Sequence, residues 1–207
     1  MTVAALVCAI ITLGHVADAA TFTVTAYGWQ NTIYHNGVPV TPGCVRMTGL
    51  IKRGDGARFR AFTDGLPAQR GINCINLNSS GGDVAAAVTI ADIVHDRDMT
   101  TSIRSGDMCA SACALVFFAG GPQRMGKGAR LGVHRAATKG GDETPGTIDA
   151  TAFTAEKLRQ YCAGRGAIVK LLATPPGGIA WLTAEDIGVG WLKCALEKAD
   201  RKLPPRR

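Results

Sequence analysis

Residues 71–98, "GINCINLNSSGGDVAAAVTIADIVHDRD", decide the architecture. A largely apolar run from Ile72 to Leu77 stops abruptly at Asn78-Ser79-Ser80-Gly81-Gly82. Beyond it Val84, Ala87, Val88, Ala91 and Val94 recur at spacings of three and four, the period of a helix with one apolar face. The stretch therefore predicts a strand, a glycine-rich turn and an amphipathic helix. "MTTSIRSG" (99–106) reads as the next strand, and "ARLGVHRA" (129–136) as another. Between them "CASACALVFFAGG" (109–121) predicts a short helix, apolar on every side and hence buried, closed by Gly120-Gly121. Strand and helix alternating in this way predict an α/β fold of stacked βα units on a parallel sheet.

Residues 20–47 mix Thr, Val, Tyr and Trp with turn residues and predict short strands; "CVRMTGLI" (44–51) continues as a strand. "ARFRAFTDGL" (57–66) fits either strand or helix. On the carboxyl side, "ATKGGDETPGT" (137–147) is a polar loop, and residues 148–166 predict a helix ended by Gly164. Helical residues resume near Ala167 to Leu172 and break at Pro175-Pro176-Gly177-Gly178. Within 182–192, Thr183 then caps a helix, which is followed by a turn back into the fold.

The chain has 207 residues, 46% apolar and 19% charged, which suits one globular domain and excludes a disordered chain. Its start, "MTVAALVCAIITLGHVADAA", is apolar from Val3 to Val16 and then offers Ala17-Asp18-Ala19, an A-x-A site, with no Lys or Arg ahead of it. This predicts a secretory leader (1–19) cut after Ala19, one domain over 20–197, and a basic tail over 198–207. Export places the mature protein in the periplasm or outside the cell.

Losing Cys8 with the leader leaves Cys44, Cys74, Cys109, Cys113, Cys162 and Cys194, an even set such as disulfides require. Their 15 possible pairings stay open, as does the alternative of buried free thiols. No C-x-x-C pair occurs and histidines number 4, so no zinc site or other metal cofactor is expected. The formal charge of +7 becomes +8 once Asp18 goes (7 + 1), and much of it lies in the tail. Without aromatic residues interleaved among the basic ones, nucleic acid is not the expected partner.

A parallel α/β sheet presents reactive groups at the carboxyl ends of its strands. Gly81-Gly82 would expose backbone N–H groups at a helix start, where an anion can bind. Ser111 lies near the start of the buried helix, and His134 at the end of a later strand. Taken singly these have plain readings: a turn, a cap and a satisfied polar residue.

Taken in order, "INLNSSGGDVAAAVTIADIV", "GDMCASACALVFFAGG" and "ARLGVHRA" resemble the Clp-type serine peptidase superfamily, whose fold is shared with crotonases, and in particular its small exported members. The resemblance covers residues 72 to 136. It implies Ser111 as nucleophile, His134 as general base, Gly82 and Ala112 as oxyanion-hole donors, and Gly81 in substrate binding. It implies a serine hydrolase without a cofactor, most simply a peptidase, and a homo-oligomer, since such proteins form rings or trimers. Export, away from ATP, makes it ATP-independent and confines it to peptides, exposed loops or unfolded segments that enter unaided. Cys109 and Cys113 would brace the nucleophile turn through disulfides, with Cys74 as a candidate partner, or serve simply as small core residues.

One departure matters. Clp peptidases carry an aspartate shortly before the segment matching Leu182-Thr183-Ala184, and here "PPGGIAW" (175–181) holds no acid. What remains is a Ser–His dyad, a triad completed by a backbone carbonyl or a hydroxyl, or an inactive relative binding peptides or a protein partner in the same cleft. An acyl-CoA enzyme of the crotonase kind and adhesion through the basic tail are weaker readings.

Overall fold

The 71–98 stretch folds as its pattern predicts: Cys74–Asn78 is a strand and Val84–Asp96 a helix. The computed structural model describes residues 19–26, 33–35, 38–40, 43–66 and 72–188. The leader before Ala19, Cys194 and the basic tail lie outside them.

In chain order the elements are β1 (Thr21–Ala26), β2 (Ile33–His35), β3 (Val38–Val40), β4 (Gly43–Thr48), α1 (Asp55–Asp64), β5 (Cys74–Asn78), α2 (Val84–Asp96), β6 (Thr100–Ile103) and β7 (Met108–Ala110). They continue as α3 (Cys113–Ala119), β8 (Gln123–Met125), β9 (Arg130–Val133), α4 (Pro145–Gln160), α5 (Arg165–Ala173), β10 (Ala180–Trp181) and α6 (Ala184–Ile187). One sheet has the order β1-β4-β5-β6-β8, with β4, β5, β6 and β8 parallel and β1 antiparallel at its edge. A second has the order β10-β9-β7, with β7 and β9 parallel. The strands β2 and β3 pair as a hairpin. The fold is mixed α/β with mostly parallel strands.

Helix α2 starts because Asp83, in extended backbone, accepts the N–H of Ala86 with its side chain (2.8 Å). It buries Ala87, Ile90, Ala91 and Val94 completely. Helix α3 has only seven residues, too few to be stable alone, yet every one is buried. Its Leu115, Phe117 and Phe118 each contribute about 2 kcal/mol by leaving water, so tertiary burial rather than propensity makes this segment helical. The ambiguous 57–66 segment is helical as α1.

Several expected boundaries move. Cys109 and Ala110 are not helical: they pair with Leu131 and Gly132, and Ala110 donates to the carbonyl of Ser79 (3.0 Å). Ladder hydrogen bonds claim residues whose apolar run suits a buried helix equally well. The 148–166 helix begins earlier, at Pro145 behind a Thr144 capping box, and stops at Gln160; Gly164 instead caps the start of α5. Helix α6 follows its Thr183 cap as expected and ends at Ile187, with Gly188 at φ 69°; residues 189–192 lie outside the described residues. Among the described residues, Cys44 pairs with Cys74 and Cys109 with Cys113, in place of free thiols, so Cys74 is not the partner of either cysteine beside Ser111. The first joins residues paired directly across β4 and β5, closing a separation of 30 residues, a link worth about 3.5 kcal/mol.

Candidate active site

The carboxyl ends of β5, β7 and β9 converge because β7 bridges the other two. Ser79 at the end of β5 accepts from Ala110, and the N–H of Ser111 donates to the carbonyl of Gly132 in β9 (2.9 Å). Ser111 thus leaves β7 beside the last residues of β9, and His134 follows that strand directly.

Ser111 has φ 56°, in the left-handed region that L-residues other than Asn, Asp and His seldom enter. Such a conformation costs about 1–3 kcal/mol and persists only where its surroundings enforce it. Three do so here. Ser111 N–H is held by Gly132, its carbonyl accepts the N–H of Ala114 (2.9 Å), and the Cys109–Cys113 disulfide spans the turn. Both cysteines are fully buried, and closing so short a loop stabilises the fold by about 2 kcal/mol. Ser111 itself is partly exposed, between Ala110 and Ala112, which are buried.

The Gly81-Gly82 turn is pressed between this elbow and the segment after β4. Gly81 has φ +96°, and a Cβ there would lie 2.6 Å from the Cβ of Ser111. Its N–H is taken by Ser79 Oγ (3.1 Å) and its carbonyl by Ile51 N–H (2.8 Å). What Gly81 offers the site is closeness rather than a free hydrogen bond. Gly82, at φ +134°, bridges to Ile51. The N–H groups of Gly82 and Ala112 donate to no acceptor among the described residues. For Ala112, 4% exposed, that is unusual, since almost all buried amides are paired.

Ser111, Ala112 and His134 line one shallow cleft. Val84, Ala114, Leu115, Val133 and Ala136 also line it, together with Thr151, Thr154 and Leu158 of α4 and Leu171 of α5. No hydrogen bond joins Ser111 Oγ to His134. Such bonds are often long before substrate binds.

Behind the imidazole stands no carboxylate among the described residues. His134 Nδ1 lies 2.8 Å from the carbonyl oxygen of Arg135. A carbonyl only accepts, so Nδ1 carries the hydrogen and Nε2 of the neutral ring is left free to accept. Asp186, an acid just after the Leu182-Thr183-Ala184 segment, is used elsewhere: Lys170 (2.6 Å) foremost, with the Thr183 amide, holds its pKa down to about 2 as it caps α6. The Arg135 carbonyl and the threonines of α4 were invisible to motif reading. A backbone atom leaves no residue signature, and α4 joins the site only through tertiary packing.

No protein-family model matches the chain, and no curated protein matches it. Among solved structures it is similar to two mutants of the 1510-N membrane-bound stomatin-specific protease. One shows 20% identity over 68% of this chain and 72% of that one, with a TM-score of 0.49. The other, in complex with a substrate peptide, shows 19% identity over 66% of each chain, also at 0.49. A mutant of ClpP1 from Listeria monocytogenes shows 17% identity over 64% of this chain and 75% of that one, at 0.44. Likeness at such identity concerns the fold alone.

Proposed function

We propose that this chain is a serine hydrolase, a peptidase, with Ser111 as nucleophile and His134 as base. The observation that carries the reading is the strained Ser111 elbow, opening into a cleft shared with His134 beside the unpaired, buried amide of Ala112. His134 Nε2 would take the proton of Ser111 Oγ as the oxygen attacks a substrate carbonyl carbon. The resulting oxyanion would lie against the N–H groups of Ala112 and Gly82, each such donor being worth about 3–4 kcal/mol. His134 would return the proton to the leaving amine, and water, activated by the same imidazole, would release the acyl group. The predominantly apolar walls favour an apolar side chain on the acyl side of the cleaved bond, presented by an unfolded segment or short peptide.

A fluorophosphonate probe tests this directly. Wild type should be labelled on Ser111, mapped by mass spectrometry, and Ser111→Ala should not. Folded wild type that stays unlabelled, or equal labelling of the variant, would sink the reading. That no carboxylate stands against His134 among the described residues favours a second reading, a peptide-binding relative without turnover. Peptide binding by an unlabelled wild type would point there.

We also propose export with removal of residues 1–19. The mature chain would then begin at Ala20, which is fully buried, and its nitrogen lies 3.1 Å from Oδ2 of the buried Asp55. That carboxylate suits an α-ammonium group as well as an amide. The intact mass of protein recovered from the cell envelope should start at Ala20; a mass retaining Met1 would contradict the proposal.

A further inference from the structure

We propose that the peptide unit joining Arg135 to Ala136, held in place by Thr151 and by an Arg135–Glu143 clamp, performs the orienting task that a carboxylate performs in related enzymes. The inference rests on the peptidase reading for its catalytic meaning, and on geometry alone for its effect on His134. The carbonyl of this unit accepts from His134 Nδ1 (2.8 Å), and its N–H, on the opposite edge, donates to Thr151 Oγ1 (2.9 Å). Thr151 Oγ1 donates in turn to the carbonyl of Thr147 (2.9 Å), inside α4. A continuous run of hydrogen bonds therefore leads from the imidazole to a helix, each polarising the next. Thr151 is 4% exposed, so water does not compete for its hydroxyl.

A single peptide between two residues of irregular backbone would otherwise swing. Arg135 prevents this from its other side. Its N–H donates to the carbonyl of Thr174 (2.9 Å), and Nη1 donates to that of Leu172 (3.2 Å), both at the end of α5. Nε and Nη2 grip Glu143 through both carboxylate oxygens (2.6 and 3.0 Å), fork to fork. The clamp is about one-third exposed at each partner, so its contribution is geometric rather than a large share of stability. Thr151, Arg135 and Glu143 are thus positioning residues, acting on Ser111 only through His134.

Two measurements test this on the full chain. The ¹⁵N spectrum of the His134 imidazole should show the ring protonated at Nδ1 in wild type at neutral or higher pH. In Thr151→Val, which keeps the shape and removes the hydroxyl, the Nε2-protonated form should appear beside it. Thr151→Ser, which restores the hydroxyl, should return the wild-type spectrum, and Glu143→Gln should give an intermediate one. The rate of fluorophosphonate labelling at Ser111 should fall about 10- to 100-fold in Thr151→Val, the scale of a displacement near 1 Å, and recover in Thr151→Ser. An unchanged imidazole spectrum in Thr151→Val, or equal losses in the valine and serine variants, would overturn the proposal. If Thr151→Val does not fold, the same spectrum of Glu143→Gln decides. Wild type that is never labelled refutes the peptidase reading, while the imidazole comparison still settles the orienting role.

Discussion

His134→Ala should lower the rate of Ser111 acylation about 10,000-fold. The estimate comes from two limits. Where serine, histidine and a carboxylate work as a unit, losing the serine or histidine costs about 10⁶ and losing the carboxylate about 10⁴. A histidine with nothing useful behind it should therefore be worth about 10², and one fully oriented about 10⁶. The Arg135 carbonyl fixes the tautomer as a carboxylate would, but brings a dipole rather than a full charge to stabilise the imidazolium. An intermediate value follows. Labelling rates of wild type and His134→Ala with the same fluorophosphonate measure it; a ratio below about ten would remove His134 from the chemistry.

The second large effect falls on the backbone. Gly82→Ala would set a Cβ 2.0 Å from the carbonyl oxygen of Ile51, at φ +134°. That oxygen accepts from Asp83, and the N–H of Ile51 donates to Gly81, so no side-chain shift relieves the clash. Strain and overpacking together should destabilise the fold by about 4 kcal/mol, against the 5–15 kcal/mol by which domains are usually stable. Any folded fraction should also acylate about 10²–10³-fold more slowly, because the Gly82 amide moves with its peptide. Urea unfolding monitored beside probe labelling checks both; wild-type stability would refute the contact, and wild-type labelling the donor role.

Patterns of period and punctuation made much of this legible in the sequence. Residues 71–98 alternate, turn and repeat in a way that only a strand, a glycine turn and a helix satisfy, and 129–136 is as plain. Residues 109 and 110 were not, since an apolar run does not say whether its hydrogen bonds go forward along a helix or sideways to Leu131 and Gly132. Cysteine pairing depended on register, which placed Cys44 opposite Cys74, and on the elbow that brought Cys109 to Cys113. A backbone carbonyl behind His134 was among the expected options, but which one was not legible, because main chain leaves no residue signature and its anchors, Thr151, Leu172 and Thr174, lie distant in sequence. Lines of motif can point to reacting groups; what holds them arrives only with folding.

Helix α3 hands its whole surface to the interior while its first turn opens the cleft. Selection for a tighter or looser interior is therefore also selection on the reacting hydroxyl, with no spacer to insulate one from the other. Drift that a surface loop would absorb silently, such as exchanging Phe117 for a smaller residue, would be felt as a change in catalytic geometry. Diversification has freer ground in α4 and α5, whose outward Ile148, Phe153 and Val169 already face solvent and can change without disturbing that helix.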